Sequence, residues 1–143
     1  MRIAIATDAW HPQINGVVTT LSRTRAELGR LGHEVLMITP AEFFTIACPT
    51  YPEIRLALKP RRRVRKKLKE FSPDAVHIAT EGPIGIATRA HCLHVGHIFT
   101  TSLHTRFPEY VRLRLPVPVD GGYRYLRWFH GPARRTMVSV PSL

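Results

Sequence analysis

The chain has 143 residues, about the length of one domain, and 44% of them are hydrophobic and 22% charged. These fractions exclude extensive disorder, and no apolar run approaches the ~20 residues of a membrane-spanning helix. The formal net charge of +11 is the unusual value and directs attention to anionic partners, either membranes or nucleic acid. We expect a single domain over residues 1–143 that is not exported, with both cysteines as free thiols.

The first forty residues predict a βαβ unit. An apolar run over 2–7 is typical of a strand buried on both faces, and a loop over 9–16 follows it. Apolar residues at three-to-four spacing then predict a helix that stops at Gly32, before a second buried strand over 34–39. Such a unit is expected to be right-handed.

The middle of the chain continues the alternation of strands and helices. Residues 43–58 contain two prolines and predict a loop with a short strand near Ile54. A helix over 61–71 and a strand over 74–79 follow, and Pro83 is suited to the first turn of the next helix.

The last third predicts a strand over 97–103, a mostly irregular segment over 104–121, a helix over 123–135 and a strand over 136–140. Strands that alternate with helices indicate an α/β domain with a Rossmann-like, doubly wound parallel sheet. Because such a domain rarely finishes on an uncovered strand, we expect the chain to be cut short.

The positive charge is concentrated in the predicted helix over 61–71. Eight of the eleven residues from Lys59 to Lys69 are basic. Val64, Leu68 and Phe71 form an apolar stripe along this helix, so the cations cover its outer face. This pattern fits either a solvated helix packed on a core or a helix that lies on an anionic membrane.

Candidate ligand-binding loops follow the strands, because ligands of open α/β sheets bind beyond the carboxyl ends of the strands. These loops are Asp8–Gly16, Pro40–Phe44, Thr80–Gly85 and His104–Tyr110. In the first loop, Asn15-Gly16 before a helix would let backbone N–H groups approach an anion, although an ordinary turn is the alternative. The loop matches neither GxGxxG nor GxxxxGK[ST], which disfavours a nicotinamide oxidoreductase and a P-loop.

Polar residues of the other loops have both functional and ordinary interpretations. His104 and Arg106 could bind a phosphorylated ligand, or could be a solvated surface pair. Glu81 could bind a sugar hydroxyl or act as a base, or could be a loop carboxylate favoured near a helix N-terminus. A cluster of three histidines and a cysteine matches no zinc spacing, so we predict no metal site. The cluster comprises His91, Cys92, His94 and His97.

Four segments together resemble the retaining glycosyltransferase family 4, whose members have the two-domain GT-B fold. They are RIAIATDAWHPQINGVVTTLSRTRAELGRLGHEVLMITP (2–40), PDAVHIATEGPIG (73–85), FTTSLHTRFPEY (99–110) and TMVSVPSL (136–143). The third looks like a loop that reads S-Y-H-T-x-F-P-x-Y in one branch of the family. The resemblance implies the N-terminal, acceptor-side domain of a mannosyl-, glucosyl- or related hexosyltransferase that makes glycolipids.

The resemblance also implies roles for individual residues. Gly16 and the less certain Asn15 would lie against the diphosphate of the donor, and His104 would be the catalytic residue that orients the donor sugar and stabilises developing charge. The other candidates are Thr105 and Arg106 on the donor side and Glu81 and Tyr110 on the acceptor side. Leu103 departs from the tyrosine that usually precedes this histidine, which puts the acceptor side in doubt.

The partners implied by the resemblance are a GDP- or UDP-linked nucleotide sugar, a lipid or lipid-linked acceptor and an anionic membrane. The enzyme would be cytoplasmic, peripheral to the inner membrane face, and independent of metal. The basic helix lies where members that act on lipid acceptors dock onto membranes. The cations assigned to this contact are Arg61, Arg62, Arg63, Arg65, Lys66, Lys67 and Lys69.

The family's donor-binding C-terminal domain carries an E-x7-E motif, and we expect this domain to be absent from the chain. Glu34 and Glu42 have that spacing, but they fall in the wrong domain and are interpreted as coincidence. The chain by itself is therefore expected to be inactive. The alternative is a non-catalytic Rossmann-like module that binds an anionic membrane or, less favoured, nucleic acid through the basic helix.

Overall fold

A computed structural model of the protein describes residues 1–49, 51–104 and 119–138. The elements within these ranges are, in chain order, β1 (Arg2–Ala6), α1 (Gly16–Arg30), β2 (Glu34–Ile38), a 3-10 turn (Pro40–Glu42), β3 (Thr45–Cys48), β4 (Tyr51–Ala57), α2 (Arg61–Phe71), β5 (Ala75–Ile78), α3 (Pro83–Val95), β6 (Phe99–Leu103), α4 (Val119–His130) and β7 (Arg135–Val138). None of these helices is long and apolar enough to cross a bilayer.

Five strands form one parallel sheet in the order β2-β1-β5-β6-β7. Strand β1 pairs with β2 on one side and β5 on the other, and Ile5 lies opposite Met37 and His77. The chain therefore reverses its direction of winding between β1 and β5. This is the position where open α/β sheets form a crevice, so the loops after β1 and β5 meet there. The predicted fold class is confirmed.

Helices cover both faces of the sheet. On one face, α2, α3 and α4 pack on the strands around a buried apolar cluster that includes Ala4, Ala6, Ile78 and Phe129. On the other face, α1 covers β1 and β2, where a smaller cluster forms around Ile5. Successive residues of β1 point to opposite faces, so this short apolar strand contributes to both clusters. That is the reason for its unbroken run of apolar residues.

Local sequence signals set the bounds of α1. The side-chain carbonyl of Asn15 accepts a hydrogen bond from the Val18 N–H at 3.0 Å, which caps the start of the helix. Leu21 is buried on its inner side. The chain leaves the helix through Gly32, whose φ of 90° lies in the left-handed region that glycine adopts without strain.

A β-hairpin replaces the loop predicted for residues 43–58. Strands β3 and β4 pair antiparallel, with an irregularity of register between Ala47 and Cys48. Pro52 lies within β4, although a proline in the sequence is expected to interrupt a strand. It is tolerated because both strands of a two-stranded sheet are edge strands, so a missing N–H need not face a partner. The expected short strand near Ile54 is thus the second half of a hairpin.

The helix predicted over 123–135 is displaced in the structure, where α4 runs from Val119 to His130. Two adjacent glycines, Gly121 and Gly122, disfavour a helix in sequence but lie inside it. The end of α4 is explained by Pro132, because a proline restricts the preceding residue away from helical geometry. The last predicted strand is confirmed from Arg135 to Val138, and its expected end lies outside the described residues.

Candidate functional site

A cavity of about 430 Å³ lies at the carboxyl edge of the sheet, over the crevice between β1 and β5. The loop after β1, the start of α1, the β3–β4 hairpin, the loop after β5 and the residue after β6 surround it. Its lining residues are Asp8, Ala9, Gln13, Asn15, Gly16, Val17, Cys48, Ile54, Leu56, Ala79, Thr80, Glu81, Gly82 and His104. We call this cavity the cleft.

The Asp8 carboxylate accepts the hydrogen bonds that connect the loops at the floor of the cleft. One of its carboxylate oxygens accepts a hydrogen bond from the Ile84 N–H at 2.8 Å. The other accepts from the Thr80 hydroxyl at 2.7 Å and the Gly85 N–H at 3.3 Å. Burial raises the pKa of Asp8 above its ordinary value, and these hydrogen bonds oppose that increase. Asp8 therefore caps the start of α3 from the loop after β1.

Two glycines permit this close approach of α3. A Cβ on Gly82 would lie 2.5 Å from the carboxylate carbon of Asp8, and a Cβ on Gly85 would lie 1.9 Å from the carbonyl oxygen of Thr80. No larger residue fits at either position without movement of the backbone or of Asp8. The role of Asp8 was missed in the sequence, although an acid directly after β1 and two glycines three residues apart at a helix start are its signals.

The start of α1 forms one wall of the cleft. The side chain of Asn15 is engaged as the helix cap, so its oxygen points to the backbone of the helix rather than being free for a ligand. Gly16 is exposed, and a Cβ built on it would have no atom within 4 Å. The space in front of this first helical residue is open, which fits the close approach of an anion to the backbone.

Glu81 lies opposite, after β5. Its Oε1 is 2.9 Å from Nε2 of His130, the last residue of α4, and both side chains are largely buried. The phenol of Tyr125, also in α4, donates a hydrogen bond to the backbone carbonyl of Glu81. Burial raises the pKa of Tyr125 to about 12, with a further increase from the charges of Glu81 and Asp8. The phenol thus remains a hydrogen-bond donor at neutral pH.

His104 directly follows β6 and lines the cleft. Its Nε2 is buried and has no hydrogen-bond partner within residues 1–49, 51–104 and 119–138. Burial lowers the pKa of His104 below its ordinary value, and the negative charge of Glu81 partly opposes this. A buried ring nitrogen without a partner is costly, so this atom is suited to a group that the ligand brings.

The neighbouring His77 is different. It lies within β5, where its Nδ1 is 2.8 Å from the Thr100 hydroxyl and its Nε2 is 2.7 Å from the Ser102 hydroxyl. Burial, with a smaller contribution from His104, lowers the pKa of His77 to about 4. His77 is therefore a neutral ring held by two strand hydroxyls.

Four of the candidate site residues meet around the cleft, although they come from three separate loops. They are Asn15, Gly16, Glu81 and His104. Thr105, Arg106 and Tyr110 lie outside the described residues, so their placement stays a prediction. Sequence reasoning missed Asp8 and His130, and for His130 no signal was available, because its contact with Glu81 depends on how α4 returns to the sheet.

The basic helix α2 lies apart from the cleft. Val64 and Leu68 are buried, as their spacing predicts. Lys67 forms an ion pair with Glu42, and its side chain is only 25% exposed. Arg63 donates to the backbone carbonyl of Glu42 and so also turns towards the 3-10 turn. The outward charge is therefore carried by the remaining cations of the helix.

The histidine cluster of α3 shows no metal-binding arrangement. Across residues 1–49, 51–104 and 119–138, no three side chains of histidine, cysteine, aspartate or glutamate come together as potential ligands. Burial raises the pKa of Cys92 to about 12, so its thiol stays protonated at neutral pH. Arg65 and Lys69 of α2 lie near His91, and burial together with these charges lowers the pKa of His91.

Comparisons with known proteins identify related sequences. The chain is 34% identical to the alpha-monoglucosyldiacylglycerol synthase of Acholeplasma laidlawii, over 77% of this chain and 31% of that protein. It is 28% identical to a GDP-mannose-dependent alpha-mannosyltransferase of Mycolicibacterium smegmatis, over 99% of this chain and 43% of that protein. A third relative, the alpha-monoglucosyldiacylglycerol synthase of Streptococcus pneumoniae, is 27% identical over 78% of this chain and 28% of that protein.

The chain thus spans less than half the length of these curated relatives. No solved structure gives a significant match. The model of the family described as Glycosyltransferase Family 4 matches residues 14–140, which include the start of α1, the loop after β5 and His104. On this match, the chain belongs to glycosyltransferase family 4.

Proposed function

We propose that this chain is the acceptor-side half of a retaining hexosyltransferase that moves a mannose- or glucose-type sugar from a nucleotide sugar to a lipid or lipid-linked acceptor. The observation that carries the proposal is the cleft, where an exposed helix start at Gly16, the Glu81 carboxylate and the His104 ring face one cavity, and where Nε2 of His104 has no hydrogen-bond partner within the described residues. The names of the relatives, which specify GDP-mannose and a glucosyl diacylglycerol, support this substrate class.

In this proposal the diphosphate of a GDP- or UDP-linked donor lies against the first turn of α1. The backbone N–H groups of that turn and the helix dipole would stabilise its negative charge without a metal ion. His104 would be the catalytic residue, and its Nε2 would bind the donor sugar and stabilise charge that develops as the sugar is transferred. Thr105 and Arg106 would extend the donor side, and Tyr110 the acceptor side.

The test is a transfer assay on the protein expressed from its complete reading frame. Radiolabelled GDP-mannose and UDP-glucose are each supplied with vesicles that contain diacylglycerol and phosphatidylglycerol. We expect label in the lipid phase from one of the two donors. His104→Ala should lower the rate by roughly 10²–10³-fold, as does loss of a group that stabilises transition-state charge.

The matched control is His33→Ala, because His33 lies at the amino end of the sheet, beside the N-terminus. This variant should retain the wild-type rate. Absence of transfer and of donor binding for both nucleotide sugars, with the protein folded, would count against the proposed reaction. Equal losses in both histidine variants would instead remove His104 from its catalytic role.

We further propose that the enzyme is peripheral to an anionic membrane at the inner face and that α2 makes the contact. The side chains of four exposed cations of α2 form neither an ion pair nor a hydrogen bond within the described parts of the chain. These are Arg61, Arg62, Arg65 and Lys69. Three exposed apolar side chains, Phe44, Ile46 and Leu58, lie on the hairpin that leads into this helix. Cations beside exposed apolar groups are typical of a surface that binds at a lipid headgroup boundary.

The membrane contact is tested by co-sedimentation with vesicles of phosphatidylglycerol and phosphatidylcholine. Glutamine at the four free cations of α2 should weaken binding by up to about 4 kcal/mol, close to a thousandfold. The matched control places glutamine at four exposed arginines elsewhere, Arg23, Arg25, Arg124 and Arg127. Equal losses in both variants would indicate a nonspecific effect of net charge, and a preference for duplex DNA at matched salt would favour the nucleic-acid alternative.

A further inference from the structure

The carboxylate of Glu81 is held in place by α4. Its Oε1 lies 2.9 Å from Nε2 of His130, and the two side chains are 20% and 11% exposed. Tyr125, one turn earlier in the same helix, donates its phenol proton to the backbone carbonyl of Glu81. Both the side chain and the backbone of this loop residue are thus fixed by one helix. A carboxylate with so little contact with water requires such partners.

The ring of His130 is itself held by a second hydrogen bond, at its other nitrogen. Its Nδ1 lies 2.7 Å from the hydroxyl of Thr101, a fully buried residue of β6. That hydroxyl is in turn 2.9 Å from the hydroxyl of Thr136 in β7. Because both ring nitrogens are engaged, the ring cannot rotate without the loss of two hydrogen bonds. The result is a chain of hydrogen bonds from the interior of the sheet to Glu81 at the edge of the cleft.

This arrangement leaves part of the carboxylate available. Within the described residues, the hydrogen bond from His130 engages Oε1, and Glu81 lines the cleft together with His104. An ionised carboxylate offers about four lone-pair sites on its two oxygens, so Oε2 can still accept a hydrogen bond. A sugar or polyol hydroxyl is the matching donor, and the proposed substrates are rich in such groups.

We propose that His130 is a positioning residue that holds the Glu81 carboxylate beside His104, so that Oε2 accepts a hydrogen bond from a hydroxyl of the substrate. This inference rests on the proposed function, because it assigns a substrate group to the same cleft. His130 does not touch substrate and acts through Glu81. The relation is the one found around metal and catalytic sites, where an outer partner fixes the orientation of the group that binds.

The decisive variants differ in which ring nitrogen they replace. In His130→Gln the side-chain amide nitrogen lies near the position of Nε2 and can still donate to Glu81. In His130→Asn the amide lies near the position of Nδ1, so the contact with Thr101 is retained and the contact with Glu81 is lost. We expect the asparagine variant to lower kcat/KM in the transfer assay by roughly ten- to hundredfold, and the glutamine variant to stay within about threefold.

A double-mutant cycle separates action through Glu81 from a merely structural role. Glu81→Ala removes the carboxylate that His130 holds. If His130 acts through Glu81, the double variant Glu81→Ala with His130→Asn loses no more activity than Glu81→Ala alone. If the two residues act independently, the two losses multiply, and the inference is overturned. His33→Asn and His33→Gln are the controls, because His33 lies at the opposite end of the sheet.

A second readout does not depend on glycosyl transfer. NMR titration of this 143-residue chain measures the pKa of His104, which the charge of Glu81 raises. Glu81→Gln and His130→Asn should both lower the pKa of His104, and His130→Gln should leave it as in the wild type. If the wild-type protein transfers no sugar, the proposed function fails and this titration still decides the positioning role. Equal pKa values of His104 in the two His130 variants, with both folded by thermal melting, would overturn the inference.

Discussion

Two histidines, one within β5 and the other just after β6, differ in whether their ring nitrogens have hydrogen-bond partners. His77 lies within β5 and has a hydroxyl partner on each ring nitrogen, whereas His104 lies just beyond β6 and has a buried Nε2 without a partner within the described residues. The polar ring within the sheet thus has its partners in the fold, whereas within the described residues the ring at the carboxyl edge keeps one nitrogen without a partner. The comparison separates a histidine whose partners belong to the fold from one for which a ligand contact is proposed.

A residue at the carboxyl edge of the sheet is not functional by position alone. Asp8 lies at this edge and nevertheless has a structural role. Its carboxylate accepts hydrogen bonds from Thr80, Ile84 and Gly85, so it belongs with His77 as a satisfied group. Asp8→Ala would leave these three donors without a partner in the protein interior. We expect it to lower the free energy of unfolding by about 3–5 kcal/mol, measured by urea denaturation.

Asp74→Ala is the control for this prediction. Asp74 also accepts a backbone hydrogen bond, from the Arg2 N–H at 2.7 Å, but in an exposed position. Water can replace the lost acceptor there, so the cost should be about 1 kcal/mol or less. If the two variants lose equal stability, the network around Asp8 does not hold the floor of the cleft, and this part of the comparison fails.

His77 should make the stability of the protein depend on pH. The unfolded chain binds a proton at this residue near pH 6.5, and the folded protein only near pH 4, so the unfolded state holds more protons between these values. The free energy of unfolding should therefore fall by about 3 kcal/mol as the pH decreases through this window.

The measurement is urea denaturation of the wild type and of His77→Gln at pH 7 and at pH 4. The glutamine variant cannot gain the proton, so its stability should fall less on acidification, even if it starts from a lower value. Parallel losses in the two proteins would show that other groups produce the acid sensitivity.

His104 should have the smallest effect on stability. Because its Nε2 makes no hydrogen bond within the described part of the protein, His104→Ala breaks none at that atom. We expect a change of less than about 1 kcal/mol in the free energy of unfolding, in contrast to the large loss of transfer activity proposed above. A loss as large as that of Asp8→Ala would identify His104 as a structural residue and remove the contrast with His77.

Most of the architecture could be predicted from local patterns. The buried runs that became β1, β2, β5 and β6, the periodic helices α1 and α2, and the proline that begins α3 carry their signals within a few residues. The β3–β4 hairpin has no such clear signal, because a proline such as Pro52 interrupts a central strand but is acceptable in an edge strand. Whether a strand is central or at an edge is decided by partners that are distant in sequence.

The site was predictable to the extent that it follows from topology. The rule that ligands bind at the carboxyl ends of strands brought Gly16, Glu81 and His104 together as candidates, and the structure places all three around one cleft. The contact of Asp8 with α3 was missed, although the acid after β1 and the two glycines at the start of α3 are signals of it, and the contact of His130 with Glu81 has no signal in the sequence. These contacts join residues that are 76 and 49 positions apart.

The capping of α3 by Asp8 has a consequence for where an anion can enter. Two helices, α1 and α3, begin at the cleft, and each start carries a partial positive charge. The carboxylate of Asp8 already occupies the first N–H groups of α3 and neutralises that charge. The first turn of α1 contains no acidic residue and has only the neutral cap Asn15. A negatively charged ligand in the cleft would therefore be attracted to the start of α1 and not to that of α3, so the buried acid at the floor of the cleft would select the direction in which such a ligand lies.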